Sequence, residues 1–217
     1  LAQPVLSQTL WSIDVRDLVG GAAIFQHSHE TLLKTASVAK LFLLLELAES
    51  ITRGDVDPSA PVSKSSVPLV KDSGLWQHLD AETLSVNDAA RLVGTVSDNL
   101  ATNALLELVG LTKVQARAAR WATHGSALHD HVRDLRGPGH PTTLSEGTAY
   151  DWAEFFAQLS TNRLSSSAVD QQLLEWVRNS ADLSMVASGF DLDPLSHGAD
   201  VDGSLTLWNK TGTDAGI

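Results

Sequence analysis

The sequence predicts a mixed α/β protein of the α+β type, in which an antiparallel sheet with flanking helices adjoins an all-helical lobe. Residues 10–17 alternate apolar and polar side chains, and a Gly-Gly pair marks a turn before a second segment at 22–27, a pattern typical of a β-hairpin. Residues 37–51 form a near-continuous apolar run, as a buried helix does. Residues 204–211 alternate again and predict a strand. Strands at both ends of the chain predict one sheet with a helical region inserted between its strands.

The middle of the chain predicts further helices and two long loops. Ser85 and Asp88 form a variant of the capping box, and Gly110 is a typical helix stop. Glycine, proline and many polar residues predict loops over 53–80 and 124–145, and a loop as long as the second one is often functional. The predicted helices are 37–51 with Thr35 as its N-cap, 89–96 after the cap at Ser85, 100–109, 112–123, 148–159 and 166–179.

Composition excludes several classes of function. The 217 residues carry a formal net charge of -11, which argues against nucleic acid or an anionic membrane surface as the main partner. The chain contains no cysteine, so disulfides, thiolate metal sites and a cysteine nucleophile are excluded. No stretch of 18 apolar residues predicts a membrane span, and the first residues lack the pattern of a signal peptide.

A serine and a lysine at the start of the first predicted helix form a candidate nucleophile and base. Ser37 and Lys40 are three residues apart, so on a helix the amine can approach the hydroxyl. Lys40 interrupts an apolar run, and burial of an amine lowers its pKa and makes the neutral form available as a proton acceptor. The free N–H groups of the first helical turn favour a developing oxyanion at Ser37. The same spacing also arises by chance among many serines, so this pair alone is a weak signal.

Two further motifs supply polar groups. Ser97-Asp98-Asn99 falls between two predicted helices; these residue types also cap helices, so capping alone is an alternative interpretation. In the functional interpretation the Ser97 hydroxyl relays a proton to a leaving nitrogen and the Asn99 amide binds the substrate backbone. Lys210-Thr211-Gly212 ends the last predicted strand, and an edge-strand lysine before a turn is its alternative interpretation.

In the functional interpretation of this third motif, Lys210 attracts a substrate carboxylate and assists Ser97. Gly212 allows a close approach of the backbone, and the N–H of Thr213 is a second donor to an oxyanion. The three motifs together, in this order, are far more specific than any one of them.

The three motifs resemble the signature of the penicillin-recognising serine hydrolases, and within these the class A β-lactamases, with Ser-x-x-Lys, Ser-Asp-Asn and Lys-Thr-Gly. Segments 36–41, 96–103 and 164–179 extend the likeness over most of the chain. The resemblance implies the β-lactamase fold, no cofactor or metal, and a small-molecule β-lactam or a peptidoglycan-like peptide as ligand. It implies these roles: Ser37 is the acylated nucleophile, Lys40 its base, Ser97 the proton relay, Asp98 a structural residue, and Asn99, Lys210, Thr211, Gly212 and Thr213 form the substrate site.

One element of the class A pattern is missing. Class A enzymes carry Glu-x-x-x-Asn on a loop after the Ser-Asp-Asn helix, and that glutamate activates the water that hydrolyses the acyl-enzyme. Between residues 110 and 161 this chain has no asparagine, and its glutamates there are Glu146 and Glu154. Glu154 is predicted in mid-helix, and Glu146 is a weak substitute because a glutamate in a first helical turn also suits the helix dipole. The sequence therefore predicts acylation with slow deacylation.

The domain organisation is predicted from the same resemblance. Residues 1–217 are expected to form a single β-lactamase-like domain, with a sheet lobe of about 1–36 and 200–217 and a helical lobe of about 37–199. The chain is expected to lack the final two strands and the C-terminal helix of such proteins, because Ile217 follows Lys210 closely. We expect a monomer unless a partner completes the sheet, and, by resemblance, export to the bacterial periplasm or the extracellular space.

The sequence thus predicts a serine hydrolase that forms an acyl-enzyme at Ser37 with β-lactams or D-alanyl peptides. The alternatives are a penicillin-binding D-alanyl-D-alanine peptidase or an esterase of the same fold, and a non-catalytic ligand-binding homologue. His124, His129, His131 and His140 lie in the second long loop, and we interpret them as solvated loop residues rather than metal ligands.

Overall fold

A computed structural model describes residues 9–182, 187–190 and 207–214 of the chain. These residues form helices and short antiparallel strands, which confirms the mixed α/β class. The helices are α1 (Lys40–Thr52), α2 (Val86–Val96), α3 (Asn99–Val109), α4 (Leu111–Trp121), α5 (Ala149–Ser160) and α6 (Ser167–Val177). The strands are β1 (Ile13–Arg16), β2 (Ala23–His27), β3 (Leu33–Lys34), β4 (Pro61–Ser63), β5 (Thr83–Ser85), β6 (Ala127–Leu128) and β7 (Ser145–Gly147).

The described strands pair in three small antiparallel sheets. The predicted N-terminal hairpin is confirmed, with Ile13 opposite His27 in the register of β1 and β2. In the second sheet β7 lies between β3 and β6. The third sheet, β4 with β5, lies in and next to the segment predicted as a loop, where no strand is predicted. The second sheet matters most for the site, because β3 leads directly into the residues before α1.

Helix α1 lies at the centre of the hydrophobic core. Its apolar side chains are buried on every face, as the sequence predicts for a helix without a polar stripe. Neighbouring helices cover it: α3 and α4 pack on it, and α6 contacts both α1 and α2. The residues just before α1 are therefore anchored to a helix at the centre of the core.

One of the two buried charged side chains of α1 is paired with arginines. Glu46 is almost fully buried in α1, and its carboxylate accepts hydrogen bonds from Arg53 and Arg117. The other buried charge is Lys40, which the arginines do not reach and which belongs to the site described below.

The strand predicted over 204–211 is wrong in its described part. Residues 207–211 form no strand, and residues 204–206 lie outside the described part of the chain. A strand needs a neighbour to accept and donate its backbone hydrogen bonds, and β1 and β2 pair only with each other within the described residues. The C-terminal part of the predicted sheet lobe is thus an irregular segment where the structure describes it.

Thr35 occupies the predicted N-cap position, but of a 3₁₀ turn that precedes α1 and without a side-chain cap. The turn is formed by residues Ala36–Ala39. The Thr35 hydroxyl instead lies 2.8 Å from the Ser145 hydroxyl. By contrast, the predicted cap of α2 is confirmed, since Ser85 Oγ accepts a hydrogen bond from the Asp88 N–H.

No helix in the described part of the chain has the length and apolar character needed to cross a membrane.

Candidate active site

Ser97 is the point at which the three sequence motifs meet. It lies in the connection between α2 and α3, where its backbone has a φ of 56°. A left-handed conformation is uncommon for serine and is found more often at functional sites. The Ser97 hydroxyl lies 3.2 Å from Lys40 Nζ and 3.0 Å from Lys210 Nζ. The structure therefore brings the two predicted lysines to one hydroxyl.

Lys40 is fully buried, and its amine contacts three oxygen atoms. Lys40 Nζ donates hydrogen bonds to Ser97 O at 2.6 Å and to Asn99 Oδ1 at 2.7 Å, and the third oxygen is Ser97 Oγ. A neutral amine has two N–H groups and one lone pair, so it can serve both carbonyl acceptors and still accept a proton from the hydroxyl. These contacts suit a lysine that acts as a base.

The direct hydrogen bond between Ser37 and Lys40 that their spacing permits is not formed. The hydrogen bonds of the Lys40 amine to described residues go to Ser97 and Asn99. Of the three oxygen atoms that contact the Lys40 amine, only the Ser97 hydroxyl can pass a proton to it. A proton that reaches Lys40 through these contacts therefore comes by way of Ser97.

The two amines have lowered pKa values. Burial lowers the pKa of Lys40 well below its ordinary value, and the charge of Lys210 lowers it further, whereas Asp98 and Asp72 act in the opposite direction. Burial lowers the pKa of Lys210 to about 7, against the attraction of Asp182. Neutral amines are therefore accessible near neutral pH, which is the requirement for general base catalysis.

Asp98 is a structural residue, as the sequence predicts. Its carboxylate accepts hydrogen bonds from the N–H groups of Leu75, Trp76 and Ala101 at 2.7–2.9 Å. It thereby caps α3 and ties the loop before Trp76 to the helix. Trp76 is itself fully buried and does not line the cleft.

The backbone around Gly212 packs directly against the nucleophile segment. A β-carbon at Gly212 would lie 2.3 Å from Thr35 O and 2.9 Å from Ser37 N. These distances are shorter than any contact that a real side chain could keep, so only glycine allows this approach. The irregular 207–214 segment thus brings Thr213 and Lys210 beside the 3₁₀ turn that carries Ser37.

These residues line one cleft of about 630 Å³, a volume in the usual range for a small-molecule site. Lys40 lies beneath this surface, in contact with Ser97 and Asn99. All the other predicted site residues line the cleft: Ser37, Ser97, Asn99, Lys210, Thr211, Gly212 and Thr213.

The second long loop forms the opposite wall, but not through its histidines. The cleft is lined by Val132, Arg133, Asp134 and Arg136, but not by the four loop histidines. The Asn103 side chain holds this wall, with Nδ2 donating to Val132 O and Oδ1 accepting from Val132 N, both at 2.9 Å. The signal in the sequence for this contact is Asn103 itself, a polar residue within a predicted helix. No group of His, Cys, Asp and Glu suited to a metal ion occurs among the described residues.

Sequence reasoning also missed Asp72, whose backbone has a φ of 73° and which lines the cleft near Lys40. Its position depends on the fold of the loop that follows β4, and no pattern in the sequence predicts that.

The arrangement of helices and small sheets around this cleft is a serine hydrolase-like fold. It matches the β-lactamase from Sphaerobacter thermophilus with a TM-score of 0.68 at 24% identity, over 76% of this chain and 62% of that one. It also matches a PBP-A mutant, solved as an acyl-enzyme complex with penicillin G, with a TM-score of 0.68 at 18% identity, over 82% of this chain and 64% of that one. The fold is therefore that of the β-lactamases and PBP-A.

The chain belongs to the β-lactamase enzyme family, whose model matches residues 5–217. A curated relative is the β-lactamase regulatory protein BlaB of Streptomyces cacaoi, 29% identical over 123 residues, which are 56% of this chain and 39% of that protein. The chain thus spans well under two thirds of the length of BlaB, and slightly under two thirds of the length of the two solved structures.

Proposed function

We propose that this protein forms a covalent acyl-enzyme through Ser37 with β-lactams or D-alanyl peptides and hydrolyses it slowly. One observation carries the proposal: the amines of Lys40 and Lys210 both contact the hydroxyl of Ser97 on the wall of a cleft that Ser37 also lines. Serine nucleophiles need a nearby base and a proton donor for the leaving group, and this cluster offers both.

During acylation Ser37 loses one proton, and the leaving nitrogen gains one by way of Lys40 and Ser97. Neutral Lys40, through the Ser97 hydroxyl, takes the proton of Ser37 as Ser37 Oγ attacks the carbonyl carbon. The N–H groups of Ser37 and Thr213 stabilise the oxyanion that forms. The C–N bond then breaks, Ser97 gives its proton to the leaving nitrogen, and the Lys40 ammonium restores the Ser97 proton.

The residues beside the Ser97 hydroxyl bind the substrate. Lys210 in its charged form attracts a carboxylate, and the hydroxyls of Thr211 and Thr213 can donate hydrogen bonds to the same group. The Asn99 side chain faces the backbone amide of the ligand. A carboxylate beside an amide is the common feature of β-lactams and of peptides that end in D-alanine.

Slow deacylation is proposed from the composition of the opposite wall. No glutamate of the described residues lines the cleft. Glu146 pairs with His129 at 3.2 Å, and Glu154 pairs with Arg16, so both are engaged elsewhere. The carboxylate of Asp134, on the wall itself, accepts a hydrogen bond from Lys71 N at 3.0 Å. The wall held by Asn103 presents Val132, which cannot activate a water.

A fluorescent penicillin, followed by gel detection and intact-mass spectrometry, tests the proposal. We expect one adduct on wild-type protein, located on Ser37 by peptide mapping, and no adduct on Ser37→Ala. The adduct should persist after excess probe is removed. Rapid turnover would contradict the slow step, and a folded wild-type protein without any adduct would refute acylation itself.

A second candidate function is a regulatory one, in which the cleft binds a ligand without turnover. The similarity to the regulatory protein BlaB favours it. Reversible penicillin binding by calorimetry, without an adduct by mass, would support this candidate. Release of D-alanine from a model peptide would instead support a peptidase, and hydrolysis of a simple ester an esterase.

We also propose, from the family resemblance, that the protein acts outside the cytoplasm, where peptidoglycan peptides occur. Cell fractionation with an antibody against the protein tests this. Recovery in the cytoplasmic fraction alone would contradict it.

A further inference from the structure

The peptide group between Ala36 and Ser37 has an uncommon backbone conformation. Ala36 has a φ of 45°, in the left-handed region that residues with a β-carbon rarely adopt. In a trans peptide the C=O of Ala36 and the N–H of Ser37 point in opposite directions, so the orientation of one fixes that of the other. The Ser37 N–H, one of the two proposed oxyanion donors, is thus set by whatever holds Ala36 O.

Ser145 holds that carbonyl. Its side chain is fully buried in β7, and Ser145 Oγ donates a hydrogen bond to Ala36 O at 2.6 Å. A serine hydroxyl has one proton, so in the 2.8 Å contact with Thr35 Oγ1 the threonine is the donor and Ser145 Oγ the acceptor. The chain of hydrogen bonds therefore runs in one direction, from Thr35 through Ser145 to Ala36 O.

The same residue is fixed through its backbone. Ser145 O accepts a hydrogen bond from Thr35 N at 3.2 Å, and Ser145 lies opposite Leu128 in the register of β6 and β7. The adjacent pair, Lys34 with Glu146, joins β3 to β7. The sheet therefore holds Ser145 in place, whereas Gly212 packs near Ser37 N.

From this geometry we infer that Ser145, with Thr35, is a positioning residue that directs the Ser37 N–H towards the oxyanion. The inference rests on the proposed function, because an oxyanion forms there only if Ser37 is acylated. Ser145 does not line the cleft, so its effect on the reaction acts through the peptide that it holds.

Ser145→Ala tests the inference, with Ser126→Ala as the matched control. Ser126 is a buried serine next to β6, and its hydroxyl accepts a hydrogen bond from Thr148 N, away from residues 35–38. We expect the acylation rate constant of Ser145→Ala to fall about 10- to 100-fold, because an oxyanion donor is misdirected rather than deleted. The dissociation constant for the probe should change less than about twofold, since ground-state contacts are retained. Thermal melting confirms that both variants fold.

A second kinetic measurement separates positioning from a general loss of structure. Sulfur accepts weaker and longer hydrogen bonds than oxygen, so an ordered oxyanion site should prefer an ester substrate over its thionoester. The ester-to-thionoester rate ratio should fall in Ser145→Ala and stay at the wild-type value in Ser126→Ala. An unchanged ratio, with acylation by Ser145→Ala within about twofold of wild type, would overturn the inference.

The crystal structure of Ser145→Ala gives an answer that does not depend on activity. A rotated Ala36–Ser37 peptide supports the inference, and a peptide that superimposes on the wild-type one overturns it. Failure of the wild-type protein to label at Ser37 would instead refute the proposed function, so the two failures are distinguishable.

Discussion

The two walls of the cleft are built differently. One wall comes from helix ends: Ser37 precedes α1, and Ser97 and Asn99 join α2 to α3, all on elements packed in the core. The other comes from irregular backbone, 132–136 and 207–214, held by side-chain contacts such as those of Asn103. The helical wall carries the proposed nucleophile and proton relay, while the irregular wall carries Lys210 and the second oxyanion donor and lacks a glutamate for deacylation within the described residues. The proposed nucleophile and proton relay thus lie next to helices that are packed in the core.

The largest expected effect is on the helical wall. Lys40→Ala removes the proposed base, and we expect acylation to fall by about 10³-fold or more. The rate of fluorescent penicillin labelling measures it. Lys64→Ala is a control, because Lys64 lies outside the cleft and its side chain donates a hydrogen bond to the Leu79 carbonyl, away from Ser97. If Lys40→Ala is labelled at the wild-type rate, Lys40 is not the base for acylation.

The junction of the two walls gives the next effect. Gly212→Ala places a β-carbon 2.3 Å from Thr35 O, so one backbone segment must move away from the other. A displacement of this order costs about 100-fold in a well-aligned reaction, and we expect that loss in the acylation rate. Gly139→Ala is the control, since a β-carbon there meets no atom within 4 Å. Equal labelling by the two variants would mean that the junction is not under steric constraint.

A pH effect of intermediate size belongs to the irregular wall. The pKa of Lys210 is about 7, so its charge is present below that pH and lost above it. We expect the acylation rate for a penicillin with a free carboxylate, relative to its methyl ester, to fall about tenfold between about pH 6 and pH 8. The ratio cancels the effect of Lys40, which is the proposed base in the reaction of Ser37 with both probes. Lys210→Arg keeps its charge and should flatten the profile; a flat wild-type profile would contradict carboxylate binding by Lys210.

The difference between the walls also explains what the sequence could predict. Helices α2 to α6 were predicted to within a few residues, because apolar periodicity and caps such as Ser85 are local signals. The motifs predict that Lys210 assists Ser97, but they place the Lys40 amine beside Ser37, whereas the structure places it beside Ser97 and Asn99. The position of Val132 is not predicted, because it depends on a hydrogen bond from Asn103, which lies in another element. The strand over 204–211 failed in its described part because a strand also depends on its neighbours, which alternation does not reveal.

The smallest expected effect tests whether the irregular wall has a substitute for the missing glutamate. Glu146 is the candidate from the sequence, but it lies in β7, pairs with His129 and does not line the cleft. Glu146→Gln keeps the shape of the side chain and removes its charge, so the lifetime of the penicillin adduct should change by less than about twofold. The decay of the intact-mass adduct measures it, with Glu154→Gln as a control engaged by Arg16. An adduct at least tenfold longer-lived in Glu146→Gln alone would show that this carboxylate reaches the acyl group. Deacylation would then be slow because its base is poorly placed.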